Sequence, residues 1–279
     1  MLLNSENTVT LNFKEESFND VIDDVTEKFQ FVGFVCGFFY VCAIFIIQYW
    51  MKTRSKFELK NFAVIWNASM LVLNTAATIG LLPTLAYVLI NENFYVSICT
   101  DKTCNNSTFC GFWLRMFPYL KIIELGDTIL LVLQKRKLVA YYWCHHLGAL
   151  LITWYIYPSY PPSIILWLAV MINLSHIFIY LYGTTRSLGF SVPQNVPAAL
   201  LLSEILQMLI GATLCSFIYY YAIVGDYCDI TILNASVLFS MYLLCFVLCS
   251  VLYYKRFYIR NKTIESKSVL TLTSIITEK

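Results

Sequence analysis

Lys121-Ile122-Ile123-Glu124-Leu125-Gly126-Asp127-Thr128 sets a base and two acids at helical spacing within 113–133, a run otherwise apolar enough to lie in a bilayer. Charge at such depth is unfavourable against lipid, turns toward a bundle interior, and marks a working site. The rest of the chain has the matching composition, with 59% hydrophobic and 13% charged residues and a mean hydropathy of +0.66. That balance excludes a water-soluble globular domain. At roughly 20 apolar residues per crossing, the chain divides into spans over 31–50, 62–90, 113–133, 141–157, 164–182, 197–223 and 232–254. The expected fold class is an all-α integral membrane protein of about seven transmembrane helices, with connections too short to hold a separate soluble core.

Basic residues cluster in Lys52/Arg54/Lys56/Lys60, Lys135/Arg136/Lys137, Arg186 and Lys255/Arg256/Arg260/Lys262, all on one side of such a bundle. The positive-inside bias makes that side cytosolic, with a luminal N-terminus and a cytosolic C-terminus. The expected organisation is an acidic luminal segment over 1–28, a transmembrane domain over 29–256 and a cytosolic tail over 257–279. The acidic segment, with Glu15, Glu16, Asp20, Asp23, Asp24 and Glu27, does not have the pattern of a cleaved leader. On the luminal side, Cys99, Cys104, Cys110 and Cys228 are disulfide candidates. Overlapping sequons at Asn105 and Asn106 are glycosylation candidates.

The chain has 3 histidines, His145, His146 and His176, all within spans. That number excludes a membrane di-iron desaturase or hydroxylase, whose histidine boxes need many more imidazoles. Counted from the cytosolic ends at ~1.5 Å per residue, His145, His176, Glu204, Glu124 and Asp127 all fall roughly 8–15 Å deep. Residues at i, i+3 and i+4 share a helix face. Lys121, Glu124 and Asp127/Thr128 form one such stripe, Asn173, His176 and Tyr180 a second, and Glu204 and Gln207 a third.

These stripes carry a family resemblance. Lys121-x-x-Glu124-Leu-x-Asp127-Thr128, followed by Leu133-Gln-Lys135-Arg136-Lys137, resembles the KxxExxDT helix and basic end of the very-long-chain fatty acid elongases, the membrane 3-ketoacyl-CoA synthases. Tyr142-Trp-Cys-His145-His146 is similar to that family's HxxHH box, with tyrosine in the place of the first histidine. Asn173-Leu-Ser-His176-Ile-Phe-Ile179-Tyr180-Leu-Tyr182-Gly183 resembles its NxxxHxxMYxYY element, with the asparagine one residue closer to the histidine. Leu201-x-x-Glu204-x-x-Gln207 keeps the last glutamine of its TxxQxxQ element. By this resemblance the chain is identified as a divergent member.

The resemblance implies that helices two to seven enclose an acyl tunnel. It also implies condensation of a long-chain acyl-CoA with malonyl-CoA, releasing CO2 and CoA and giving a 3-ketoacyl-CoA. His145, His146 and His176 would be catalytic, with the acyl group carried on His145. Lys121, Glu124, Asp127, Thr128, Tyr142, Asn173, Tyr180, Glu204 and Gln207 would support them, and Lys135, Arg136 and Lys137 would bind CoA phosphates. No metal, redox cofactor or nucleic acid is implied. Residence is expected in the endoplasmic reticulum membrane as a multi-pass protein, beside a 3-ketoacyl-CoA reductase and the other elongation-cycle enzymes, with a homo-oligomer left open. The alternatives are a catalytically impaired homologue, since a phenol at Tyr142 cannot act as an imidazole base, and a heptahelical receptor or a transporter. The last two fit less well: no acidic-arginine switch follows helix three, and no repeat with broken helices is visible.

Overall fold

The computed structural model describes residues 31–100, 104, 108–156, 162–193 and 195–259. Seven long helices follow one another: α1 (Val32–Trp50), α2 (Lys60–Asn91), α3 (Thr108–Leu133), α4 (Ala140–Ile156), α5 (Pro162–Leu188), α6 (Asn195–Val224) and α7 (Ile232–Tyr253). Single turns at Met51–Thr53, Val96–Cys99 and Tyr254–Tyr258 complete the regular structure of the described residues. The helical stops are backbone devices. Gly189 (φ 101°) and Gly225 (φ 92°) take left-handed conformations just past α5 and α6. Beyond α5 the amides of Gly189 and Phe190 fold back onto the Arg186 and Thr185 carbonyls, satisfying groups the helix end would orphan. This explains why α5 runs six residues past the expected 182: hydropathy falls at Gly183, but the chain turns only where a left-handed residue allows it. Likewise α3 begins at Thr108 rather than 113.

In the bundle, α3 packs on α4, α4 on α7, α7 on α6, α6 on α5, α5 on α2, and α2 returns to α3. This is a closed ring of the six helices α2–α7, with α1 lying outside against α3 and α4. One buried apolar cluster draws on every helix of the ring, including Leu81, Phe117, Ile156, Ile164, Met208 and Leu238. The chain is an all-α integral membrane protein. Among the described residues five segments, Val32–Thr53, Lys60–Asn91, Ser163–Leu188, Asn195–Val224 and Ile232–Phe257, are long and apolar enough to cross a membrane by themselves. Helix α3 is not among them, because it carries Arg115, Lys121, Glu124 and Asp127.

The two ends of the ring differ. At one end the basic connections meet: the Phe57 amide donates to the Leu133 carbonyl at 3.3 Å, and Arg256, just past α7, reaches Tyr142 at the start of α4. At the other end the turn Val96–Cys99 is buried. It is held by the Cys99–Cys228 disulfide, by the Asp229 amide donating to the Cys99 carbonyl at 3.0 Å, and by Trp167 Nε1–H donating to Ser97 Oγ at 3.3 Å. Cys104 pairs with Cys110 nearby in the chain. The glycosylation candidates Asn105 and Asn106, segment 1–28 and most of the tail 257–279 lie outside the described residues.

Replacing Cys228 with Ser removes a cross-link spanning 129 residues of chain. The loss of about 2–4 kcal/mol should appear as a lower melting temperature of the detergent-solubilised protein, and reductant should reproduce it in the unmodified chain.

Candidate active site

The polar stripe on α3 faces the ring. Lys121 is 1% exposed, Glu124 2% and Thr128 0%. Removing an ammonium and a carboxylate from water is tolerable only if they meet each other, and Lys121 Nζ lies 2.5 Å from Glu124 Oε1. The ammonium also sits 5.0 Å from the centre of the Phe117 ring, whose negative face attracts it. The other carboxylate oxygen, Glu124 Oε2, faces His176 Nε2 from α5 at 3.5 Å. His176 Nδ1 lies 2.8 Å from the Ile172 carbonyl oxygen. A carbonyl only accepts, so Nδ1 carries a hydrogen and Nε2 is the nitrogen presented to the carboxylate. The Nε2–Oε2 contact is favourable when a proton lies between the two atoms, which makes Glu124 and His176 an acid–base couple.

Asp127 has a different set of partners. Its Oδ1 accepts from Trp66 Nε1–H at 2.5 Å and its Oδ2 from the Tyr180 hydroxyl at 2.6 Å. Trp66 can approach because residue 126 is glycine: a Cβ there would lie 2.5 Å from the indole. Asp127 thus ties α2 and α5 to α3, and the Tyr180 ring lies 5.6 Å from that of His176. Thr128 accepts from the Tyr40 hydroxyl at 2.8 Å, which fastens α1 to the outside of the ring.

On α4 the His145 and His146 rings meet edge to face at 5.7 Å, and His145 tilts against Tyr141 at 5.5 Å. Helix α4 packs on α3 and α5 also contacts α3, so the three imidazoles lie on the two helices that flank the Lys121–Glu124 stripe. Glu204 on α6 is buried within reach of Tyr141 and Ser175. Gln207 accepts a hydrogen bond from Ser175, next to His176. Four buried polar atoms of this region make no hydrogen bond to protein: His145 Nδ1, Asn173 Nδ2, Asn173 Oδ1 and Glu204 Oε1. Among the described residues no group of three or more His, Cys, Asp or Glu side chains is placed to hold a metal ion.

The profile described as ELO: GNS1/SUR4 family matches residues 25–266, nearly the whole chain and the whole of this site. The chain belongs to the ELO family. Very long chain fatty acid elongase 6 of Drosophila melanogaster is 28% identical over 267 residues, covering 92% of this chain and 83% of the relative. Very long chain fatty acid elongase 6 of Gallus gallus is 30% identical over 236 residues, covering 84% and 88%. Very long chain fatty acid elongase 3 of Homo sapiens is 27% identical over 222 residues, covering 80% and 81%.

In this ELO-family chain the ring brings together Lys121, Glu124, His145, His146 and His176, with Asp127, Tyr180, Glu204 and Gln207 around them. Tyr142 stands apart. Its hydroxyl is bonded to Arg256 at the basic end. Lys135, Arg136 and Lys137 lie just past α3 at that same end, Lys135 in a left-handed conformation with φ 53°. Trp66, Tyr40, Ser175 and Tyr141 were not picked out in the sequence. Tyr141 was findable, one helical turn before His145. The Trp66 and Tyr40 contacts depend on the register between separate helices, which no local pattern encodes.

Lys121→Ala leaves Glu124 buried without its cation, and about 3–5 kcal/mol of stability should be lost. The double variant Lys121→Ala/Glu124→Ala should melt at a higher temperature than Lys121→Ala alone, because the stranded charge is gone. Thermal melts of the three proteins in one detergent decide it.

Proposed function

We propose that the chain is the condensing enzyme of fatty acid elongation, joining a long-chain acyl-CoA to malonyl-CoA. The observation that carries this reading is the buried Lys121–Glu124 pair directed onto His176, beside the helix that bears the His145–His146 pair. The ELO membership and the elongase names of the relatives support it.

In this mechanism an imidazole nitrogen of His145 attacks the thioester carbonyl of the acyl-CoA. The C–S bond breaks, CoA leaves with the proton shed by the imidazole, and the acyl group rests on nitrogen. Malonyl-CoA then loses CO2 by cleavage of its carboxyl C–C bond, and the electron pair becomes an enolate. The enolate carbon attacks the acyl-imidazole carbonyl, the C–N bond breaks as the leaving imidazole nitrogen takes up a proton from water at the cytosolic mouth, and a 3-ketoacyl-CoA two carbons longer is released. His176 Nε2 bears the proton it shares with Glu124 Oε2, and in the second step that N–H is turned from the carboxylate to the developing enolate oxygen, whose negative charge it stabilises. The unpaired amide of Asn173, one turn before His176, is a further polar partner for a thioester carbonyl. His146 orients its neighbour, and Lys135–Lys137 hold CoA phosphates at the cytosolic rim. No metal or redox cofactor takes part in these steps. The protein resides as a multi-pass protein in the endoplasmic reticulum membrane, N-terminus luminal, and its 3-keto product passes to a reductase.

Purified protein given radiolabelled acyl-CoA alone should acquire acid-labile, hydroxylamine-sensitive label, followed at neutral pH, that His145→Ala fails to take up. His176→Ala should take up the label and yield at least 100-fold less 3-ketoacyl-CoA on adding malonyl-CoA. Equal labelling of His145→Ala overturns the nucleophile assignment. No two-carbon extension with any primer overturns the enzyme reading.

A further inference from the structure

Tyr142 occupies the first position of the histidine box, yet its hydroxyl turns away from the histidine cluster. It accepts a hydrogen bond from Arg256 Nη1 at 3.4 Å, a contact bridging 114 residues of sequence. Arg256 lies on the π-helical turn Tyr254–Tyr258 that ends α7. Single π turns re-aim side chains and recur at functional sites. The turn is packed down: Tyr253 and Phe257 join Val139 and Tyr142 against the buried Tyr141, Leu201 and Cys249. Val139 is two residues from Lys137, so the Arg256 turn and the basic segment 135–137 border one patch of the rim. Arg256 is exposed, and among the described residues no carboxylate pairs with it. One of its five N–H donors goes to Tyr142, and among the described residues no hydrogen-bond acceptor meets the others. Its guanidinium, 5.6 Å from the Phe257 ring, is braced on two sides.

We propose that Tyr142 positions Arg256 as a phosphate-binding group at the mouth of the ring, where it takes the phosphates of a coenzyme A thioester together with Lys135–Lys137. A planar guanidinium forks onto two phosphate oxygens, which a lone ammonium cannot do. Tyrosine in the box position thereby moves that residue's work from the reacting centre to substrate capture. The inference rests on the synthase reading and deepens it. An anionic lipid headgroup offers the same phosphate chemistry, so the test separates the two sources.

The full-length protein is placed in nanodiscs of phosphatidylcholine, and binding of free CoA and of pantetheine, which lacks phosphate, is measured by calorimetry. Arg256→Ala should weaken CoA binding about tenfold and leave pantetheine binding unchanged, with Arg256→Lys between it and the unmodified protein. Tyr142→Phe should weaken CoA binding by a smaller factor in the unmodified background and by none in Arg256→Ala, as expected of a residue that acts through the guanidinium. Equal CoA affinity of Arg256→Ala and the unmodified protein overturns the inference alone. So does an equal loss of pantetheine binding, which would signal general distortion, or an effect that appears only when phosphatidylglycerol is added to the disc, which would assign the contact to lipid. Failure of the unmodified protein to bind CoA at all overturns the synthase reading and this inference with it.

Discussion

The bundle is organised around one ammonium–carboxylate contact made where there is almost no water. Lys121 and Glu124 are one helical turn apart on α3, and each is nearly fully buried. Isolated, either charge would be strongly unfavourable in that interior; together, and with an imidazole on the second carboxylate oxygen, they form a stable polar centre. The neighbours of α3 have to cover the side that bears this pair to keep lipid from it. The neighbours that do so are α2, α4 and α5, with α1 covering the outer face.

Two carboxylates three residues apart take opposite parts. Glu124 faces ionisable groups only, Lys121 and His176, so a proton can move within its set of contacts. Asp127 is met by an indole and a phenol, donors that hold it still and pass nothing on. The first arrangement can exchange a proton, and the second joins three helices. The glycine between them, at 126, is what lets the indole in.

Much of this was readable before any coordinates. The continuous apolar runs mark helices of nearly the right extent, and charge in the middle of one of them marks the centre, because both signals are local and energetically large. The spacing of Lys121, Glu124, Asp127 and Thr128 places them on one face; Lys121, Glu124 and Asp127 meet one another or the ring helices α2 and α5, and Thr128, at its edge, meets α1. What was not readable depends on register between helices: that Asp127 would meet Trp66, or that Tyr142 would turn to Arg256 across 114 residues. Helix extents erred at α5 for a related reason. A left-handed residue stops the backbone, and it stands six residues beyond the point where the side chains cease to be apolar.

Helix α3, with four charged side chains along 26 residues, has consequences for how the chain is made. A segment of that kind partitions poorly from the translocon into lipid when presented alone. Its integration has to wait until α1 and α2 are already beside it, and it becomes secure only when α4 and α5 have emerged to supply the remaining walls. Biogenesis is therefore expected to be coupled to assembly, with the segment that bears the buried ion pair committed late and truncated chains ending near residue 133 the preferred substrates of membrane quality control.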